Sequence, residues 1–326
     1  MAASNLVYVG KIIEFTPIEN ADFIHCATVV CEEGGKWKGI IRKADFALND
    51  LCVVFLPDSQ LDPIVHAHMP FMKDSGWRVK MRRFKGSPSE VVIANINSVE
   101  ASLHILGLDI TEVSQVTKYC KPIPAQLSGE VLGNFPSFIP KTDEPNYQSS
   151  EELIERLIGR PFYITEKCDG SSSTAYRYKG HFGICSRNLE LVRNLNNGYW
   201  KVATKYSLEE NLPEGIALQW ETCGPGVQSN PMLLSELDGF AFSAYDIEKH
   251  AYLEAAELVD LCKKLGFPMA KIITWTESFS KEGIERLGEG KYETGKYREG
   301  VVVRSQVNMS NGTPISFKVI NLDYKD

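Results

Sequence analysis

A lysine lies two residues before an Asp-Gly pair in the string Glu166-Lys167-Cys168-Asp169-Gly170-Ser171-Ser172. A lysine amine is nucleophilic only when deprotonated, and its reference pKa of about 10.4 leaves little of that form at neutral pH. The chemistry therefore requires partial burial, a neighbouring cation or a metal-bound triphosphate to lower the pKa. Asp169 offers an oxygen to a hydrated divalent cation, and Gly170 lets the backbone approach phosphate. The string predicts a lysine that attacks phosphorus; the alternative is a solvated lysine beside a hairpin turn.

Five further candidate residues follow, within predicted strands or at their ends. They are Arg187 after the segment 181–185, Glu221 at the end of 218–221, Phe242 within 240–247, Glu299 before the β-branched run 301–303, and Lys318 within the apolar segment 315–319. Arg187 offers a bidentate donor for phosphate or ribose oxygens. Taken singly, Phe242 is typical of a core and Lys318 of a surface lysine whose stem covers apolar neighbours. Together and in this order, they indicate one nucleotide site.

This series resembles motifs I, Ia, III, IIIa, IV and V of the ATP-dependent ligase and capping-enzyme superfamily. Ser172 occupies a place where DNA ligases and capping enzymes usually carry arginine. The sequence ends at Asp326, shortly after motif V, without the C-terminal oligonucleotide-binding domain of those branches. Residues 129–145, GEVLGNFPSFIPKTDEP, resemble the approach to motif I in RNA ligases that have an N-terminal oligonucleotide-binding domain. The chain is thus similar to the fifth RNA ligase family.

The resemblance implies a role for each matched residue. Lys167 would attack the α-phosphorus of ATP, while Asp169 and Glu299 would hold Mg²⁺ or Mn²⁺ through metal-bound waters. Lys318 would neutralise the α-phosphate, and Arg187 would contact the nucleotide sugar or the nucleic-acid end. The remaining contacts to the nucleotide would come from Gly170, the ribose-binding Glu221, the adenine-stacking Phe242 and the backbone of Glu166, which would read the exocyclic amine.

Two positions leave alternatives open. Many relatives carry two lysines in motif V, but the first place is Ser316 here. The missing cation would then come from Lys296, Arg298 or Arg304, or from metal charge. The stacking aromatic is Phe242, Phe240 or Tyr245, depending on the local register.

The elements that must position these residues indicate an α+β protein. Short strand candidates at 6–13, 26–31 and 51–56 predict an N-terminal OB-like β-barrel over residues 1–120. The proline-rich residues 121–150 read as a linker across the catalytic domain. Residues 151–326 would form a nucleotidyltransferase domain (an ATP-grasp-like adenylation domain) of antiparallel sheets flanked by helices, with helices predicted at 151–158 and 254–265.

The net charge of −7 appears unfavourable for a nucleic-acid enzyme, because phosphate contacts supply most non-specific affinity. One segment, residues 77–86, departs from this average. It interleaves aromatic residues with the five cations Arg78, Lys80, Arg82, Arg83 and Lys85. The alternation of Arg78, Lys80 and Arg82 would place them on one strand face, as a nucleic-acid-binding surface or as an ordinary solvated face.

The remaining composition indicates a soluble protein. A chain of 326 residues, 43% of them hydrophobic, can bury cores in two domains. No apolar run approaches the roughly 18 residues of a transmembrane helix, and the N-terminus lacks the pattern of a signal peptide. We expect a cytoplasmic monomer without a membrane role. The eight cysteines contain no C-x-x-C pair, so we expect reduced core residues.

The function expected from the resemblance is an ATP-dependent RNA ligase for RNA repair. It would seal 3′-hydroxyl/5′-phosphate nicks, in a duplex with an RNA 3′-hydroxyl strand, through lysyl-AMP and an AMP-capped 5′ end. Two alternatives use the same residues differently. A capping-type guanylyltransferase would use GTP, and a non-enzymatic end-binding protein would bind nucleic acid without forming an adduct.

Overall fold

Two units make up the chain in the computed structural model, which describes residues 5–19, 21–119 and 131–324. The first unit comprises residues 1–121 and 148–151, and the second comprises residues 122–147 and 152–326. The beginning of the predicted linker, including Gly129 and Glu130 of the segment that resembles RNA ligases, lies outside the described residues.

Nine strands lie within the described residues of the first unit. In chain order they are β1 (Val7–Pro17), β2 (Ile24–Val30), β3 (Lys36–Arg42), β4 (Leu51–Phe55), β5 (Ser59–Gln60), β6 (Arg82–Phe84), β7 (Ser87–Ser89), β8 (Val92–Asn95) and β9 (Thr117–Lys118). Five of them form an antiparallel sheet in the order β3-β2-β1-β4-β8, while β5 pairs with β9 and β6 with β7. The predicted strands at 6–13, 26–31 and 51–56 correspond to β1, β2 and β4.

The five-stranded sheet is curved into a half-barrel, and parts of both its faces are buried in apolar clusters. Val7 and Val9 contribute to one apolar cluster, and Tyr8 and Ile12 contribute to another. Both clusters follow from the period of two in a strand, which sends successive side chains to opposite faces. A parallel bridge between Gly39 on β3 and Val91, next to β8, connects the two edges of the sheet.

The part of the second unit that the structure describes contains eleven strands and four α-helices. The strands are β10 (Val131–Asn134), β11 (Phe162–Glu166), β12 (Ser171–Tyr178), β13 (His181–Ser186), β14 (Leu189–Leu191), β15 (Ile216–Cys223), β16 (Asp238–Asp246), β17 (Ala251–Tyr252), β18 (Ile272–Thr276), β19 (Gly300–Ser305) and β20 (Ser316–Ile320). The helices are α1 (Glu151–Leu157), α2 (Gly198–Lys205), α3 (Leu208–Asn211) and α4 (Ala255–Leu265). Two antiparallel sheets result, with the orders β10-β14-β13-β12-β15-β16-β17 and β18-β11-β19-β20.

Both predicted helices are present, and the sequence explains where α4 begins and ends. Glu254 and Glu257 form a capping box at its N-terminus, and Gly266 ends the helix in the left-handed conformation. The mixture of mostly antiparallel sheets and few helices confirms the α+β class. No helix within residues 5–19, 21–119 and 131–324 has the length and apolar character needed to span a membrane. All seven cysteines in these ranges are buried and free of disulfides, as expected.

Part of the segment predicted as a linker is structured within the second unit. Strand β10 pairs with β14 at the edge of the larger sheet. The Gln219 side-chain amide donates to the Pro140 carbonyl over 2.9 Å, and the Lys318 N–H donates to the Pro145 carbonyl over 2.8 Å. The proline-rich stretch therefore supplies hydrogen-bond acceptors to both sheets.

Candidate active site

Lys167 follows directly after β11, an interior strand of the four-stranded sheet. Tyr163 and Thr165 precede it at spacings of two, so all three belong to the same face of the sheet. The Lys167 N–H donates to the Gly300 carbonyl over 3.0 Å, and the Tyr292 hydroxyl donates to the Lys167 carbonyl over 2.7 Å. Two backbone contacts therefore fix the end of the strand from which the amine projects.

Three carboxylates surround the lysine amine. Its Nζ lies 2.7 Å from Oε2 of Glu299, and the charges of Glu221 and Asp169 also act on it. Burial lowers the pKa of Lys167, but these carboxylates, Glu299 above all, raise it above its ordinary value. Without nucleotide or metal, these carboxylates outweigh burial. The lower pKa that nucleophilic attack requires would therefore have to come from a bound cation or a metal-bound triphosphate.

Asp169 and Gly170 lie in a tightly packed turn between β11 and β12. Asp169 is only 2% exposed, and its Oδ2 accepts a hydrogen bond from the Tyr324 hydroxyl. Burial and this bond raise the pKa of Tyr324. A Cβ on Gly170 would lie 2.3 Å from the Thr222 carbonyl oxygen and 2.9 Å from Cγ of Glu221. Only glycine fits between this turn and the end of β15.

The carboxylates are suitable for a hydrated divalent cation. Within the described residues, no group of three or more His, Cys, Asp or Glu side chains is arranged to hold a metal ion by itself. Mg²⁺ usually keeps several waters and takes only one or two protein carboxylates. Glu299 lies 2.7 Å from Nζ of Lys167, and Asp169 follows two residues after Lys167 and also acts on its charge. The donor set fits a cation held largely through water.

Lys318 lies on β20, directly opposite Val302 on β19. Ser316 lies opposite Arg304 two positions along these strands, and Val302 itself lies opposite Thr165, so both pairs belong to the face that carries Lys167. Adjacent residues such as Phe317 and Val303 belong to the other face and enter an apolar cluster. The strand register thus brings Lys167 and Lys318 to one side of the sheet.

Among the three cations considered for the place next to Ser316, Arg304 is its neighbour across the strands. Its guanidinium is buried and lies 2.6 Å from the Glu144 carboxylate. Arg298 instead donates to the carbonyls of Leu287 and Glu289. Lys296 is exposed.

The three candidate stacking aromatics belong to two clusters. Phe240 and Phe242 pack beside Cys168, the residue after Lys167. Arg304 also lies over the Phe242 ring, with its Cζ 5.6 Å from the ring centroid. Tyr245 packs in a separate cluster against Tyr252. The position of Phe242 therefore fits the proposed stacking role better than that of Tyr245.

Two residues predicted to contact the nucleotide form ion pairs with other side chains of the protein. The Glu166 side chain is buried 3.8 Å from the Arg298 guanidinium, on the sheet face opposite Lys167. The role expected for Glu166 concerns its backbone only, and its N–H donates to the Lys271 carbonyl. Arg187 forms an ion pair with Asp143 at the surface, where its side chain is 41% exposed.

The basic segment of the first unit is less regular than its sequence suggests. Strand β6 begins only at Arg82, so a continuous strand carrying Arg78, Lys80 and Arg82 on one face is not formed. Arg78 lies 2.8 Å from Asp58 and stacks 4.0 Å from the Tyr119 ring centroid. Arg82 and Lys85 are exposed, while Lys80 and Arg83 are half-buried. Arg78 therefore supports the fold, and the other four cations lie nearer to solvent.

Sequence reasoning missed two tyrosines. The Tyr292 hydroxyl donates to the Lys167 carbonyl, and it accepts a hydrogen bond from the Glu299 N–H over 3.4 Å. Tyr324 donates to Asp169 from a position 155 residues further along the chain. Neither tyrosine lies in a motif. A contact between residues so far apart in sequence has no fixed spacing by which a sequence pattern could reveal it. A polar aromatic residue shortly after motif V was the only available signal.

Comparison with known proteins identifies the family. A family model described as RNA ligase matches residues 160–320. The structure is similar to a glutamate-to-alanine mutant of Naegleria gruberi RNA ligase with AMP and Mn, at TM-score 0.83 and 32% identity over 98% of this chain and 97% of that one. A lysine-to-alanine mutant of that ligase with ATP and Mn gives TM-score 0.82 and 32% identity over 97% of each chain. The same ligase with PPi gives TM-score 0.82 and 32% identity over 98% of this chain and 97% of that one.

No curated protein matches the sequence significantly. The similarity to the Naegleria ligase nevertheless extends over nearly the whole of both chains. It confirms the resemblance drawn from the motifs between Lys167 and Lys318. The chain belongs to the RNA ligase family, and the protein is an RNA ligase enzyme.

Proposed function

We propose that this RNA ligase uses ATP to seal 3′-hydroxyl/5′-phosphate nicks through a covalent lysyl-AMP at Lys167. The observation that carries the proposal is the Lys167 amine, 2.7 Å from Glu299 and within the field of Glu221 and Asp169. A lysine nucleophile surrounded by carboxylates is suited to ATP bound to a divalent cation, because the carboxylates attract the cation. Structures of the Naegleria ligase contain ATP, AMP, PPi and Mn, which supports the same nucleotide chemistry here.

In the first step, Nζ of Lys167 bonds to the α-phosphorus of ATP while the bond from that phosphorus to the bridging oxygen breaks. Pyrophosphate leaves. The Lys167 ammonium group gives up one proton to solvent before it attacks, and Nζ gives up a second proton to solvent as the bond to phosphorus forms. Asp169 and Glu299 would hold Mg²⁺ or Mn²⁺, whose charge would draw these carboxylates away from the amine and lower the pKa of Lys167. Lys318 belongs to the same sheet face and would stabilise the negative charge that develops on the α-phosphate oxygens.

The nucleoside would bind along the cleft next to Lys167. Glu221 at the end of β15 would accept hydrogen bonds from the ribose hydroxyls, and Phe242 would stack on adenine. The backbone carbonyl of Glu166 would accept a hydrogen bond from the exocyclic amine of adenine. The close packing of Gly170 against β15 supports a turn shaped for the phosphates.

Two further steps complete the reaction. An oxygen of the nick 5′-phosphate bonds to the phosphorus of AMP, the bond to Nζ breaks, and an AMP-capped 5′ end forms. The 3′-hydroxyl oxygen then bonds to the phosphorus of the 5′-phosphate, loses its proton and displaces AMP. Arg187, at the surface, is placed to contact the nucleic-acid end if it exchanges its exposed partner Asp143 for phosphate.

The first unit would bind the nucleic acid as an OB-like barrel. Its five-stranded antiparallel sheet, with the parallel bridge between the edge regions, supports this assignment. Lys80, Arg82, Arg83 and Lys85 would supply phosphate contacts, and Phe84, which is 41% exposed, would offer a surface for stacking. Arg78 would hold the segment to the barrel through Asp58.

The test is incubation of the purified protein with Mg²⁺ or Mn²⁺ and α-labelled ATP or GTP, followed by denaturing electrophoresis and peptide mass spectrometry. We expect label from ATP on Lys167 and none on Lys167→Ala, which loses at least about 10³-fold in activity. Unchanged thermal unfolding of Lys167→Ala is the control for folding. Labelling from GTP would instead indicate capping chemistry, and an adduct on Lys167→Ala would refute the assigned nucleophile. A labelled nick with an RNA 3′-hydroxyl strand then tests sealing.

A further inference from the structure

The hydroxyl of Tyr324 donates a hydrogen bond to Oδ2 of Asp169, although the two residues are 155 positions apart. Asp169 is 2% exposed and lies two residues after Lys167. Protein groups therefore enclose most of this carboxylate and set its orientation. Tyr324 is the donor that lies outside every motif described above.

Tyr324 is itself held by the turn that follows β20. Asn321 is 1% exposed, and its side-chain amide donates to the carbonyls of Gly290 and Arg298 over 3.1 and 3.0 Å. Its own N–H donates to the Glu299 carbonyl over 2.9 Å, and its carbonyl accepts the N–H of Tyr324 over 3.1 Å. The turn is thus tied to the backbone of Glu299, the other carboxylate expected to face the cation.

A carboxylate that receives a metal or its waters must present its oxygens in one orientation. A neighbouring donor that occupies one oxygen restricts rotation and leaves less freedom to be lost on binding. Such outer partners are general in metal sites, and their removal typically costs about 10- to 100-fold in metal affinity or activity. A phenol suits the role because its ring is rigid and its hydroxyl is neutral, so it does not compete with the cation for negative charge.

We infer that Tyr324 is a positioning residue that orients Asp169 for the divalent cation of the adenylation reaction. The inference rests on the proposed function, because it takes Asp169 as the group that faces the metal. It adds a residue after the last motif to the machinery of the first step. It also predicts that the turn 321–324 matters for metal use rather than for nucleotide chemistry itself.

The experiment measures Mn²⁺ binding in the presence of ATP by electron paramagnetic resonance, in a Lys167→Ala background that cannot turn over. We expect Tyr324→Phe to weaken Mn²⁺ binding by about tenfold or more. Asp169→Asn should weaken it as well, and adding Tyr324→Phe to Asp169→Asn should cause no further loss. The matched control is Tyr297→Phe, which removes a hydroxyl from a tyrosine that is 47% exposed.

A second measurement uses the active protein and separates positioning from general damage. With Lys167 intact, Tyr324→Phe should raise the Mn²⁺ concentration for half-maximal adenylylation by about tenfold, and saturating Mn²⁺ should restore most of the rate. An equal loss at all Mn²⁺ concentrations would overturn the inference, as would unchanged Mn²⁺ binding in Tyr324→Phe when Asp169→Asn binds more weakly. Unchanged binding in Asp169→Asn would overturn the metal site of the proposed function, and the inference with it. Thermal unfolding shows whether each variant folds.

Discussion

The two faces of the four-stranded sheet use alternate residues of the same strands for opposite purposes. One face is apolar except for Glu166 at the end of β11, and it packs into a core with Phe162, Ile164, Val301, Val303, Phe317 and Val319. The other face carries Tyr163, Thr165, Lys167, Val302, Arg304, Ser316 and Lys318. A difference of one position in sequence therefore separates a side chain that stabilises the fold from one that we propose performs chemistry.

The comparison shows how a charged face is kept inside a folded protein. Apolar side chains need only area and shape complementarity, so the first face follows from strand alternation alone. Buried charges need specific partners, and here these come from outside the sheet. Glu144 pairs with Arg304, and Glu299, just before β19, pairs with Lys167. The polar face depends on distant segments in a way that the apolar face does not.

The largest expected effect is on stability, at the apolar face. Phe317 is fully buried and makes an edge-on contact with Phe279, with 6.1 Å between the ring centroids. Phe317→Ala should lower the free energy of unfolding by about 3–5 kcal/mol, through lost burial and the cavity left behind. Urea denaturation measures this loss, and adenylylation per folded molecule should be largely retained. A stable but inactive variant would contradict the division between the faces.

The adjacent residue on the other face should give the opposite result. Lys318→Met keeps roughly the length of the side chain but removes the positive charge that we expect to contact the α-phosphate. We expect adenylylation to fall by about 10²–10³-fold, with little change in the urea midpoint. Lys249→Met, at a lysine whose side chain is 76% exposed, is the control for loss of one positive charge. If both variants lose activity equally, the placement of Lys318 in the site is wrong.

A smaller effect is expected where the polar face is stabilised from outside. Glu144→Gln would leave Arg304, whose side chain is 5% exposed, without its carboxylate partner. We expect a loss of about 3 kcal/mol in unfolding free energy, near the lower limit for a broken buried pair because glutamine still accepts a hydrogen bond. Glu155→Gln removes the partner of Lys281 at the surface and should cost about 0.5 kcal/mol or less. Equal losses in the two variants would show that burial of Arg304 does not matter.

The smallest effect tests a buried carboxylate without a paired cation. In the first unit, Glu90 accepts hydrogen bonds from the Gln148 amide and the Lys38 N–H, and burial raises its pKa above 4.5. The folded state therefore binds this proton more tightly than the unfolded state. Stability should fall as pH rises from 4.5 through the folded pKa, by up to about 1.4 kcal/mol for each unit of pKa difference.

Glu90→Gln should remove this part of the pH dependence. Urea denaturation at several pH values should show the stability of the wild-type protein falling relative to Glu90→Gln as pH rises from 4.5. Glu100→Gln, at an exposed glutamate, is the matched control. Parallel stability profiles for the wild type and Glu90→Gln would mean that Glu90 has no raised pKa.

Local patterns predicted much of this molecule. Strong periodicity or capping residues marked three strands and two helices: β1, β2, β4, α1 and α4. The motifs around Lys167 are short and can be recognised from their residue types. Helix α2 was missed because Asn197-Gly198 resembles a turn and Tyr199 and Trp200 favour strands. In the structure, the Asn197 side chain instead accepts the Tyr199 N–H and begins a helix. Tertiary packing decided between two locally acceptable conformations.

The contacts that tune the site could not be predicted in this way. The Arg304–Glu144 pair, the Tyr324–Asp169 bond and the raised pKa of Lys167 each depend on groups far apart in sequence. Sequence patterns pointed to the residues that we propose to react. They did not give the neighbours that set the charge and orientation of those residues, because such neighbours follow from the register of several strands at once.

The assignment of residues 148–151 to the first unit has a consequence for how this protein can be divided. The chain leaves the first unit after residue 121, returns for these four residues and leaves again at α1, so neither unit is one continuous stretch. A fragment ending at residue 121 would lack Gln148, the side-chain donor to Glu90. A fragment beginning at residue 151 would lack Glu144, so Arg304 would lose its carboxylate partner. No single cut yields both units whole, so we expect the two units to fold best when they are expressed as one chain.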